Sequence, residues 1–157
     1  MASERALWRR LRRTLLGDRH LACNLTRIET STGAGVFDLY FSARRAGVRA
    51  SGWLELKEVA SWPPGLTTKV PTGIRPSQVA WARKQVRAGD ERLGFLLQLS
   101  AGGGSQFYAV VGRAVARLEP KMMKCDFLSL CSSQFDDEDW SAEKLLEIMS
   151  NISRRVP

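Results

Sequence analysis

Histidine is nearly absent from this chain, cysteine is sparse, and no apolar run approaches the length needed to cross a bilayer. His20 is the only histidine, and Cys23, Cys125 and Cys131 are the only cysteines, in 157 residues. An odd, scattered set of three thiols offers no disulfide framework and points to a reducing compartment. His20 and Cys23 stand three apart. With no second histidine and no CxxC pair, this is the spacing of a surface imidazole and a small buried thiol rather than of a zinc site. Serine- or cysteine-based triads are disfavoured for the same reason, since the lone histidine has no matching nucleophile. Lacking about 18 consecutive apolar residues, the chain is not expected to contain a transmembrane helix. Arginines break up the start, Trp8-Arg9-Arg10-Leu11-Arg12-Arg13, so no secretory signal is expected and the reading is of a cytoplasmic protein. An Arg-rich amphipathic start can imitate a mitochondrial transit peptide, but Glu4 and this segment have a better use, given below.

Acidic residues are scarce over most of the length. Residues 1–124 carry 21 Lys/Arg against 9 Asp/Glu, whereas residues 125–157 carry 3 against 7, and the whole has a formal charge of +8. So basic a body is the usual footprint of a polyanionic partner, with plain solubility as the alternative. A membrane surface ranks lower, because the body has no long helix with a broad bulky apolar face. No aromatic-rich RNP-like segment supports RNA binding. At 44% hydrophobic and 25% charged, the chain can bury a core, and its length suits one domain.

The hydrophobic pattern predicts an α/β or α+β layered domain with a mixed central sheet flanked by helices, in the order α-β-β-β-α-β-β-α. Leu7, Trp8, Leu11 and Leu15 repeat at helical spacing over residues 3–16, with Ser3 as N-cap. Residues 21–30, 36–42 and 49–59 read as strands, separated by turns at 31–35 and 43–47. Residues 60–74 form a Pro- and Gly-containing connection long enough to be functional, either a flap or simply a link. Pro76-Ser77-Gln78 opens a helix to about residue 88, with Val79, Ala82 and Val86 facing inward and Gly89 as its stop. Two apolar strands, 93–99 and 107–111, flank the Gly102-Gly103-Gly104 turn. Residues 113–157 are expected to form a helical extension packing on the 1–112 core. Within it the acidic run Asp136–Asp139 caps a helix at 140–152 whose stripe of Trp140, Leu145, Leu146, Ile148 and Met149 is core. A dimer contact and a fence limiting access of the polyanionic partner are the other readings of that acidic run.

Chemistry concentrates on the second and third strands. Side chains alternate, so Glu55 and Lys57 share one face while Leu54 and Leu56 pack on the other. The preceding strand carries one acid, Asp38, among Val36, Phe37, Leu39, Tyr40 and Phe41. A carboxylate in so apolar a strand is costly unless paired or bound to a cation. With adjacent antiparallel strands, Asp38, Glu55 and Lys57 converge. Two carboxylates and the Leu56 backbone carbonyl are the hard oxygen donors Mg²⁺ prefers, with Mn²⁺ able to substitute. Lys57 beside them suits phosphodiester hydrolysis, orienting the attacking water and stabilising charge at phosphorus.

Gly35-Val36-Phe37-Asp38-Leu39, then Trp53-Leu54-Glu55-Leu56-Lys57, then Arg75-Pro76-Ser77-Gln78-Val79-Ala80-Trp81 resembles the PD-(D/E)xK nuclease superfamily. The nearest branches are the virus-type replication-repair nucleases and the archaeal-type Holliday junction resolvases. The resemblance covers about the first 110 residues. It implies a restriction-endonuclease-like core and a metal-dependent DNA endonuclease with Glu4, Asp38, Glu55, Lys57 and Gln78 around the ion. It also implies a homodimer, a branched or junction substrate, a phage-type origin and no organic cofactor. Phe37 departs from it, standing where the family often has Pro, a position that shapes backbone and does no chemistry.

DNA contacts are expected from Arg9, Arg10, Arg12 and Arg13 on the first helix, from Arg44, Arg45, Lys69 and Arg75, and further from Arg49, Arg83 and Lys84. Two alternatives stay open: a nuclease that nicks or degrades DNA broadly, and a non-catalytic basic DNA-binding module on a nuclease fold.

Overall fold

The structure is a computed structural model that describes residues 4–29 and 35–154. The fold is mixed α+β, a central mixed sheet flanked by helices. Helix α1 (Glu4–Gly17) is followed by β1 (Ala22–Arg27), β2 (Leu39–Arg45), β3 (Val48–Val59) and the short β4 (Lys69–Pro71). Helix α2 (Pro76–Arg87) crosses to β5 (Leu93–Ala101) and β6 (Gly104–Val111). A 3-10 turn (Gly112–Arg117), β7 (Lys121–Met123), α3 (Lys124–Leu130), β8 (Ser133–Asp136) and α4 (Ala142–Ser153) complete the order. Ser3, expected as the α1 cap, and the turn at 31–34 lie outside the described residues. No helix among the described residues is long and apolar enough to cross a membrane.

Six strands form one sheet in the order β1-β2-β3-β5-β6-β8, with β3 and β5 parallel and every other pair antiparallel. Both faces of the central strands are covered, as a parallel pair requires. One face packs against Leu7, Leu11 and Leu15 of α1 and Leu145, Ile148, Met149 and Ile152 of α4. The other packs against Val79 and Ala82 of α2, with Val115, Leu118, Met122 and Phe127 beyond.

Two expectations are corrected by this arrangement, and one choice left open, flap or link, is decided. The segment after residue 112 is not only helical, because β8 pairs with β6 and completes the sheet, while β7 pairs with β4. Residues 60–74 are no free flap. Trp62 donates its indole N–H to the Pro71 carbonyl and packs on Tyr108 and Phe127, and the Lys124 and Cys125 amides bond back to Thr68 and Leu66. The acidic run does not cap α4. Ser141 does so, its hydroxyl accepting from the Lys144 amide at 3.1 Å, whereas Asp136 closes the turn before it and Asp137 reaches Arg10.

The geometry that matters for function is where β2 and β3 part. Their last pair is Leu39 with Leu54, yet β3 runs on to Val59. Residues 55–59 therefore lack a β2 neighbour on that side, and the sheet opens beside Asp38, Glu55 and Lys57.

Candidate active site

Strict alternation along β3 buries Leu54 and Leu56 under α1 and α4 and turns Glu55 and Lys57 to the α2 side. Glu55 is fully buried. Its Oε1 accepts from Lys57 Nζ at 2.7 Å and from Gln78 Nε2, and its Oε2 accepts from the Asp38 backbone N–H at 3.1 Å. Gln78 is held just as firmly. Its Oε1 accepts the Arg75 N–H at 2.9 Å, closing the first turn of α2, and this fixes Nε2 as the end that donates to Glu55. Lys57 Nζ also meets Glu4 Oε1 at 3.2 Å, so α1 delivers Glu4 to the cluster. Gly73 passes over the Lys57 stem, where a Cβ would stand 3.3 Å from Lys57 Cδ, and the fully buried Thr72 ties this loop to the Glu119 carbonyl at 2.7 Å.

The sheet opening thus gathers Glu4, Asp38, Glu55, Lys57 and Gln78. Asp38 sits just ahead of β2 rather than inside it, because Phe37 before it turns into the α2-side core, its ring 4.9 Å from that of Trp81, while Leu39 after it turns to the other face. Two residues not foreseen at the site, Trp8 and Arg27, join the rim. A small cleft beside Asp38 and Glu4 is lined also by Trp8, Arg27, Leu39 and Leu56. Arg27 pairs in register with Leu39, the residue after Asp38, and that register cannot be read from the alternation of residues 21–30.

Burial lifts the Glu55 carboxyl to about 7, the nearby Asp38 carboxylate adds to the rise, and Lys57 opposes it. For Lys57 burial acts downward, but Glu55, Glu4 and Asp38 outweigh it and hold the ammonium above its ordinary range. The Glu55 shift has a sign that can be measured. A carboxyl whose folded pKa exceeds its unfolded value stabilises the fold most below pH 4.5, and loses that contribution as pH rises through about 7. In EDTA, Glu55→Gln should therefore gain thermal stability relative to wild type between pH 5 and pH 8. A difference in Tm that stays flat across that window would mean Glu55 is not held protonated by burial.

No group of three or more His, Cys, Asp or Glu able to hold a metal is present among the described residues. The oxygen donors available are two carboxylates. Asp38 has no hydrogen bond or ion pair to its side chain among the described residues, and Glu55 Oε2 takes only an amide N–H. Two such carboxylates in mutual repulsion, with Leu56 lining the adjacent cleft, are donors of the hard type that could hold Mg²⁺ or Mn²⁺. Glu4 is turned to Lys57 instead.

The basic residues divide into two groups. Arg10 is engaged internally, 2.5 Å from Asp137 and stacked 4.5 Å over the Trp140 ring. Arg45 faces Asp18 and Glu143 at 3.8 and 3.6 Å. Arg9, Arg12, Arg13, Arg44, Arg49, Lys69, Arg75 and Lys84 are exposed with no ion pair among the described residues, and Arg83 is exposed with its Nε–H on the Ala116 carbonyl. No protein family and no curated protein matches the chain.

Proposed function

We propose that the chain is a Mg²⁺-dependent DNA endonuclease of PD-(D/E)xK type with a restriction-endonuclease-like core. The observation that supports this most is the junction of Asp38, Glu55, Lys57 and Gln78 at the point where the sheet opens, with Glu55 held by three donors. A structural ion pair needs neither a second carboxylate at hand nor an opening beside it.

Asp38 and Glu55 would hold the cation, which when bound offsets the charge developing on the phosphoryl group and acidifies the attacking water. Gln78 keeps the Glu55 carboxylate turned toward Asp38. Lys57, anchored between Glu55 and Glu4, presents an ammonium that can orient the water and stabilise the pentavalent phosphorus. Arg27 on the cleft beside Asp38, and the exposed Arg9, Arg12 and Arg13 of the helix that delivers Glu4, would grip neighbouring phosphates. A branched DNA or four-way junction as substrate, a homodimer that supplies two cuts, and the host cytoplasm as location follow from the family resemblance.

Cleavage of supercoiled plasmid and of a synthetic four-way junction, with Mg²⁺ or EDTA, tests this. Wild type should cut only with the cation, and Asp38→Ala should cut neither substrate. Preference for the junction separates a resolvase from a general nuclease. Pure protein that binds DNA but cuts nothing with Mg²⁺ or Mn²⁺ is a binding module.

A further inference from the structure

The sheet face that carries Glu55 continues away from the opening as a floor crossed by the Arg92 side chain, whose Nη1 donates to the Ser51 hydroxyl at 3.2 Å. Along β3 this face shows Trp53, Ser51 and Arg49; across β2 it shows Tyr40, Ser42 and Arg44; across β1, Thr26, Asn24 and Ala22. Helix α2 covers only the near end, where Trp81 packs on Trp53. At the far end an open depression of about 570 Å³ is lined by Asn24, Ser42, Ser51, Arg44 and Arg49 among others, and a second one round the hairpin by Arg19, His20 and Arg44. No acidic residue lines either.

Arg44 and Arg49 are direct cross-strand partners. Like charges in that position oppose one another. Their neighbour Arg45, on the other face, has two acids, and Arg92 has Asp90, whereas Arg44 and Arg49 have no acid among the described residues. An electrostatic cost left standing in the fold is what a site for a polyanion looks like before its partner arrives.

We propose that this face binds the phosphate backbone of the DNA arm leading away from the cut, with Arg44 and Arg49 as its anchor. This rests on the nuclease reading. Six residues of strand separate Arg49 from Glu55, roughly 20 Å. At ~3.4 Å per base pair the anchor meets phosphates about six pairs from the scissile bond. Asn24 and Ser42 between them are short and polar and leave room for the backbone, while Ser51 is engaged by Arg92.

The test is duplex binding in EDTA across a KCl series, comparing wild type with Arg44→Gln/Arg49→Gln and with Arg44→Lys/Arg49→Lys. Loss of two phosphate contacts should lower the slope of log K against log salt by about 1.8, and the lysine pair should retain it. The glutamine variant should melt no lower than wild type, because a repulsion has been removed. Its affinity should no longer rise when the arm is lengthened past about six pairs. An unchanged slope overturns the inference, and if it comes with a changed oligomeric state by sedimentation, the face joins two copies of the chain. Wild type that cuts DNA alongside an unchanged slope removes this surface alone. Wild type that binds with the expected slope change yet never cuts keeps the surface and removes the nuclease. Wild type that neither binds nor cuts removes both.

Discussion

Lys57→Met should abolish DNA cleavage, by about 10²–10³-fold or more, and should also destabilise the protein. The two losses have different origins and can be separated. Lys57 is the cation 2.7 Å from a fully buried carboxylate. Removing one member of a buried pair leaves the other uncompensated, at a cost of about 3–5 kcal/mol. The remaining Glu55 is then held only by Gln78 and the Asp38 amide, which are neutral donors. Glu55→Gln removes that stranded charge. The double variant Glu55→Gln/Lys57→Met should therefore recover much of the stability lost in Lys57→Met while staying inactive. Urea unfolding of the four proteins at pH 8 gives the coupling energy, expected at the upper end of the 0.5–3 kcal/mol seen between contacting residues. Additive effects would show that the pair is not formed in solution. Cleavage surviving in Lys57→Met would put the chemistry elsewhere.

Much of this site was legible because it rests on two local rules. Alternation from Trp53 to Lys57 separates Glu55 and Lys57 from Leu54 and Leu56 whatever the rest of the chain does. Pro76 and Ser77 set a helix start that puts Gln78 at its third position, where the side-chain oxygen accepts the N–H of the capping residue Arg75 and leaves the NH₂ to face Glu55. What was not legible depends on register or on partners distant in sequence. Arg10 and Arg12 look alike in an arginine-rich helix, but only Arg10 lies against Trp140 and Asp137, some 130 positions on. Arg44 and Arg45 are likewise adjacent, and one residue of strand puts them on opposite faces with opposite fates. β4, β7 and β8 are three or four residues long, too short for a period of two to register, and β8 exists because β6 offers it an edge. The acidic run followed the helix-dipole rule on paper, yet Asp137 was drawn to Arg10 and Ser141 took the cap.

Gly35→Ala should be among the most damaging substitutions outside the charged cluster. Gly35 has φ +70, and a Cβ there would lie 2.2 Å from the Ser77 carbonyl oxygen and 2.9 Å from the Gln78 nitrogen. These are backbone atoms in the first turn of α2, so no rotamer change can yield. Either the 35–38 segment retreats, carrying Phe37 and Asp38, or the start of α2 does, carrying Gln78. Both ends hold Glu55, Asp38 through its amide and Gln78 through its NH₂, so either retreat loosens the carboxylate on one side. Left-handed strain contributes about 1–2 kcal/mol and overpacking about 1–3 more, so a loss of roughly 2–5 kcal/mol is expected. A misplacement near 1 Å at the reacting groups would cost cleavage about 10²-fold. Gly103→Ala is the matched control, since Gly103 has φ +91 and open space where its Cβ would go. It should show the strain alone and leave cleavage intact. Equal destabilisation of the two variants would mean that Gly35 does not press against α2, and that Asp38 and Gln78 are positioned independently.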